Sequence, residues 1–98
     1  MAYTFQKWHI PDRMMPAIRR YIDEGVIPRG FLQAVICNDL QEAWGYADDE
    51  NLENLPAYVA FFCDETPLIC WGSRKKMLAW AEKFRKEPNA EQNRNNNV

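Results

Sequence analysis

The segment from Phe31 to Leu40 constrains this chain more than any other. Phe31, Val35 and Leu40 mark one apolar side of a helix, and Leu32, Ile36 and Cys37 widen it. A helix apolar over so much of its circumference has to be surrounded, which places it at the centre of a small bundle. Period-two alternation is hard to find along the chain, whereas helical spacing recurs. The expected fold class is therefore all-α, a small bundle of about four helices. Ninety-eight residues suffice for one domain. A chain of that size buries roughly 60–65% of the surface its unfolded form exposes, enough for one modest core.

The arrangement follows from caps and breakers. A first helix reads from about Asp12, its candidate N-cap, to Glu24, with Pro16 in its first turns. Met14, Ile18, Tyr21 and Ile22 form its inner face, and Gly25 suits a left-handed cap. Pro28 is placed to open the second helix, which reads to about Gly45 with Gln41 and Glu42 toward solvent. The Asn38-Asp39 pair inside it reads as an exposed polar stripe, as a hydrogen bond to a neighbouring loop, or as a group orienting the next helix through Asn51. Asp48-Asp49-Glu50 suits the positive end of a third helix, which continues through Leu52, Leu55, Val59 and Phe62 to Cys63. Pro56 should kink that helix or divide it. After a loop from Asp64 to Gly72, Ser73 caps a fourth helix with Met77, Leu78, Trp80, Ala81 and Phe84 inside. The domain plan is thus an N-terminal arm (1–11), a helical domain (12–87) and an Asn-rich tail (88–98) expected to be disordered. The arm carries Tyr3, Phe5, Trp8 and Ile10, and would either pack across the helices or serve as an exposed hook.

Charge is segregated. Between Asn38 and Thr66 stand eight acids and no base, whereas Ser73 to Lys86 holds six bases against Glu82 alone. Phosphate binding needs positive charge across the whole footprint, so the acidic middle argues against direct DNA binding. A protein partner of mixed charge fits better. No apolar run approaches the roughly 18 residues of a membrane span, and no signal-peptide pattern is present. The expected location is cytoplasmic.

Catalytic patterns are missing: no glycine-rich phosphate loop, no nucleophile elbow, no zinc-protease motif. His9 beside Trp8 reads as a surface or packing residue. Adjacent acids (Asp48 with Asp49, Asp64 with Glu65) read as caps and solubilising groups. Cys37, Cys63 and Cys70 read as reduced, mostly buried thiols, and with one histidine they supply none of the usual zinc spacings. No cofactor, metal or catalytic residue is expected, and the chain reads as a non-enzyme.

Partner contacts are the alternative. Core demand accounts for Trp80 and Trp44, but Trp8 and Trp71 lie in irregular segments. Since tryptophan and tyrosine dominate binding hot spots, Tyr3, Trp8 and Trp71 are candidate anchors. Arg74, Lys75 and Lys76 are candidate charged contacts, on DNA or on a partner's rim. Pro67, a loop proline with an X-Pro bond, reads either as an ordinary loop residue or as a site for a prolyl isomerase.

Three motifs together carry a resemblance: Pro28-x-Gly30-Phe31-Leu32-x-Ala34-Val35-x-x-Asn38-Asp39-Leu40, Ala47-Asp48-x-x-Asn51 and Trp71-Gly72-Ser73. The chain resembles a family of small phage and prophage proteins over about residues 11–84, with arm and tail outside the match. Within that family it is most similar to the anti-RecBCD kind of lambdoid phages, which modifies the host enzyme rather than abolishing it. The resemblance implies a host-takeover protein in the host cytoplasm that binds the RecBCD helicase–nuclease, through its RecC subunit, and so protects phage DNA and favours recombination. A phage adaptor or inhibitor aimed at another host protein, and a small DNA-associated regulator using Ser73–Lys86, are the rival readings.

Overall fold

The computed structural model describes the backbone of residues 3–97 and the side chains of residues 3–85. Most of the described chain is helical. The chain opens with a small antiparallel hairpin, β1 (Thr4–Phe5) and β2 (Trp8–His9), in which Thr4 faces His9 and Phe5 faces Trp8. A 3-10 turn (Asp12–Met14) leads into α1 (Met15–Glu24). Then follow α2 (Gly30–Ile36), α3 (Leu40–Tyr46), α4 (Asp49–Glu53) and α5 (Leu55–Glu65). A second 3-10 turn (Leu68–Cys70) precedes α6 (Arg74–Asn97). The tail expected over 88–98 falls on residues whose side chains lie outside those described.

The arm is docked rather than hooked outward. Ile10 is fully buried, and Tyr3 meets Phe61 edge-to-face at 5.3 Å between ring centroids. The His9 backbone N–H donates to Asn54 Oδ1 at 2.9 Å, tying the hairpin to the α4–α5 junction. Of the two readings open for the arm, the packed one holds over residues 3–11, with a hairpin in place of a single extended strand.

The second helix is shorter than expected, because Asn38 and Asp39 end it. Asn38 adopts φ 59°, a left-handed conformation that asparagine tolerates better than most residues. Its N–H donates to the Val35 carbonyl at 2.9 Å while Asp39 N–H reaches the Ala34 carbonyl at 2.8 Å, a Schellman closure. The Asp39 carboxylate then accepts from Glu42 N–H at 3.1 Å and starts α3. Both residues are exposed, as one reading has it, but the pair is no stripe on a continuous helix: it divides one helix into two. Pro28, expected to open the helix, lies ahead of Gly30, where α2 begins. Asp12 does not act as N-cap either; Pro11 occupies that position without a side-chain bond.

Pro56 divides the third helix as expected, standing in the first turn of α5, where its missing N–H forfeits nothing. Asp48 caps α4 by accepting from Asn51 N–H at 2.8 Å. Gly25 ends α1 at φ 73°, and its N–H donates to the Tyr21 carbonyl at 2.9 Å. Ser73 Oγ accepts from Lys76 N–H at 3.1 Å at the start of α6.

The core gathers Ile10, Ile18, Tyr21, Leu32, Val35, Ile36, Tyr58, Phe62, Cys70 and Met77, with Trp80 closing it. Its buried polar groups are paired. The Tyr58 hydroxyl donates to Asn51 Oδ1, and the Trp80 indole donates to the Tyr21 carbonyl at 3.1 Å. Several residues expected inside are outside: Leu40, Trp44, Leu52, Val59 and Leu78 are all exposed. The reason is geometric. Once the helix breaks at Asn38, α3 presents only the small Ala43 to the core, and Leu40 and Trp44 turn outward together, one helical turn apart. Within α5 the buried set is Ala57, Tyr58, Ala60, Phe61 and Phe62, which leaves Val59 facing solvent.

Candidate protein-binding surface

The expected contact residues fall into three places. Tyr3 and Trp8 are half-buried in the hairpin, Tyr3 on Phe61 and Trp8 stacked on Phe5 at 6.2 Å. Packing therefore accounts for much of both rings, and Tyr3 in particular fastens the arm. Pro67 is exposed in the loop before α6, next to Leu68 and Ile69, which are 72% and 61% exposed. Trp71 is half-buried, its ring tilted against Phe62 at 5.6 Å. Arg74, Lys75 and Lys76 are exposed in the first turn of α6. The three places are not brought into one site.

Positive charge in a helix's first turn works against the helix dipole. The first turn of α6 itself carries no acid beside Arg74, Lys75 and Lys76. The Ser73 cap supplies the compensating hydrogen bond. Farther along, Lys83 Nζ lies 4.4 Å from the Trp80 ring centroid and Arg85 pairs with Glu82 at 2.6 Å, so these two cations are engaged within the fold.

Two shallow depressions adjoin one another along α5. One, about 50 Å³, is lined by Ala34, Val35, Leu40, Ala43, Leu55, Val59 and Trp71, with Asn38 and Asp39 at its edge. The other, about 410 Å³, is walled by Phe5, Leu55, Pro56, Val59 and Ala60. Leu55 and Val59 belong to both, so a continuous apolar strip runs from the hairpin across α5 to α3 and Trp71. Single exposed apolar side chains are ordinary, and a connected strip of them is a candidate contact surface. Of the residues expected as contacts, Trp71 alone lines it. The sequence reading placed Leu40 and Val59 inside, and both are exposed; half-buried Leu55 packs on the core as expected and also lines the strip. The Asn38-Asp39 pair was the available signal, because a helix break there frees Leu40 from the core face.

Elsewhere the polar groups are structural. Arg13 bridges Asp48 at 2.9 Å and Glu50 at 3.1 Å, and His9 lies 3.8 Å from Glu50. The Asn51 amide hydrogen bond, then Arg13, hold the Asp48 carboxyl below the usual carboxylate range. Burial pushes the Cys37 and Cys70 thiols up, which opposes the thiolate a nucleophile needs. Cys63, expected among buried thiols, is exposed, and all three cysteines are free. A cleft of about 310 Å³ between α2, α3 and Arg74 sets that cation among Asp39, Glu42 and Tyr46. Among the described residues no cluster of three or more His, Cys, Asp or Glu could hold a metal ion. No described helix is long and apolar enough to cross a membrane.

No protein-family model, curated protein or solved structure matches the chain.

Proposed function

We propose that this chain is a phage host-takeover protein that acts without catalysis, in the host cytoplasm, by occupying a surface of the RecBCD helicase–nuclease, through its RecC subunit. The observation that carries the protein-binding part of this reading is the apolar strip joining Phe5, Leu55, Val59, Leu40 and Trp71. Such a strip gains from being covered by another protein and offers no chemistry of its own. The choice of RecBCD rests on the motifs around Gly30–Leu40, Ala47–Asn51 and Trp71–Ser73 that resemble the phage family. Exposed Pro67 supports recruitment of a host prolyl isomerase as an additional partner.

Binding of purified protein to RecBCD by interferometry tests the assignment. The parent should bind at submicromolar concentration, and Trp71→Ala should weaken it about tenfold or more while keeping its fold. Absence of parent binding at micromolar concentration would remove RecBCD and leave another host protein as target. A second reading, a DNA-associated regulator, draws on the unpaired start of α6. It would be favoured by tight binding to bare duplex that Lys75→Glu abolishes.

A further inference from the structure

A further cleft, of about 330 Å³, lies between α1 and the connector that leads to α2. Phe31 and Leu32, both buried, back it, and Met14, Ala17, Val26 and Ile27 line its sides. Local hydrogen bonds fix its shape. The Val26 N–H donates to the Arg20 carbonyl at 3.3 Å as the chain turns at Gly25, and Gln33 Nε2 donates to the Pro28 carbonyl at 3.1 Å. The charged lining is Arg20 and Arg29, and no acid lines the cleft. Both arginines are exposed, and neither joins an ion pair among the described residues. Glu24 follows Arg20 by four positions, the spacing of a helical pair, yet does not bridge it. On the Met14 side, Asp48 and Glu50 are already bridged by Arg13, whose Nη1 also donates to the Met14 sulfur at 3.4 Å. The cleft beside Arg74 differs, because Asp39 and Glu42 share it with that cation.

We propose that the cleft between α1 and the connector binds a small organic anion, an aromatic or short aliphatic body bearing one carboxylate, sulfonate or phosphate group. Its volume stands near the lower bound of ligand pockets, roughly 300 Å³, which suits a small molecule. The apolar body covers Ala17, Phe31 and Leu32 and is removed from water there. The anionic group meets Arg20 and Arg29, whose planar guanidiniums hydrogen-bond paired oxygens. Two cations with no counter-charge in the lining make the cleft electropositive, so an anion is preferred to a neutral molecule of the same shape. The cleft shares no lining residue with the Leu40–Val59 strip or with the first turn of α6. The proposal does not depend on RecBCD being the target.

Fluorescence titration of the full-length protein tests it with two probes, anilinonaphthalene sulfonate and phenylnaphthylamine, the same body without the sulfonate. The sulfonate should bind about tenfold more tightly than the neutral probe at low salt, with the gap shrinking as salt rises. Arg20→Gln and Arg29→Gln, both at exposed positions, should each weaken the sulfonate about threefold or more and change the neutral probe little, at an unchanged melting temperature. Val26→Glu, which adds an acid to the lining, should weaken the sulfonate in the same selective way. Leu40→Ser and Lys75→Glu should leave both probes unchanged. Equal affinity for the two probes, no binding of the sulfonate, or a loss on Leu40→Ser that the arginine variants do not show would overturn the proposal. So would displacement of the sulfonate by duplex DNA that Arg29→Gln abolishes, because the arginines would then serve a nucleic-acid backbone. Displacement by RecBCD that the same variant abolishes would assign the pair to a protein contact and overturn it equally.

Discussion

The Tyr21 hydroxyl donates to the backbone carbonyl of Cys70 at 2.6 Å, joining the first helix to the loop that launches the last one. Both residues are fully buried. Trp80 returns the connection by donating to the Tyr21 carbonyl, so α1, the 68–70 turn and α6 are held through one tyrosine. Tyr21→Phe should therefore leave a buried carbonyl without a partner and cost roughly 1–3 kcal/mol. Urea denaturation checks the magnitude. A loss below a few tenths of a kcal/mol would show that water replaces the hydroxyl.

Alkali should unfold the protein cooperatively. Burial pushes the Tyr21 and Tyr58 phenols well above the ordinary tyrosine value near 10. Both keep their protons in the folded state at pH values where the unfolded chain has lost them. The stability they contribute is fully present below about pH 10 and is lost as pH rises through the folded-state values. The slope is roughly 1.4 kcal/mol per pH unit for each tyrosine. Equilibrium denaturation at a series of pH values from 9 upward, followed by far-ultraviolet circular dichroism, should show Tyr21→Phe with a shallower decline than the parent.

Gly25→Ala should destabilise by roughly 1–3 kcal/mol on two independent grounds. Its φ of 73° is strained for any side chain, and an added Cβ would stand 2.7 Å from Phe84 Cδ2. The clash displaces Phe84, which packs edge-to-face on Trp80. A red-shifted tryptophan fluorescence in the variant should accompany the lower melting temperature.

Lys75→Glu should slightly stabilise the isolated protein, by a few tenths of a kcal/mol, because it puts an acid at the positive end of α6. If the basic turn serves a partner, the same variant should bind RecBCD with a slower association rate and a weaker salt dependence. Thermal melts and interferometry read the two effects separately.

Trp44 is 67% exposed, so Trp44→Ser should change stability by no more than about 0.5 kcal/mol. A chemical denaturation curve superimposed on the parent's is the expected result, and a large loss would return Trp44 to the core.

Much of the architecture was readable from local chemistry. The Gly25 stop, the Asp48 and Ser73 caps and the division at Pro56 follow from what each residue does to its own backbone, and such effects do not depend on distant partners. The helical character and the buried start of the second helix, Phe31 to Ile36, follow from apolar spacing in the same way. Spacing alone did not reveal which apolar residues face outward. Leu40 and Val59 fit a helical face as well as Val35 or Phe62 do, and only the packing partners rank them. Asn38 can end a helix or ride on its surface, and the hydrogen bonds from Asn38 to the Val35 carbonyl and from Asp39 to the Ala34 carbonyl decide the matter. The apolar strip is a tertiary object for the same reason. Phe5, Leu40, Val59 and Trp71 lie far apart in the chain, and they become one surface only because the hairpin settles against α5 and α3 packs on α2 beside it.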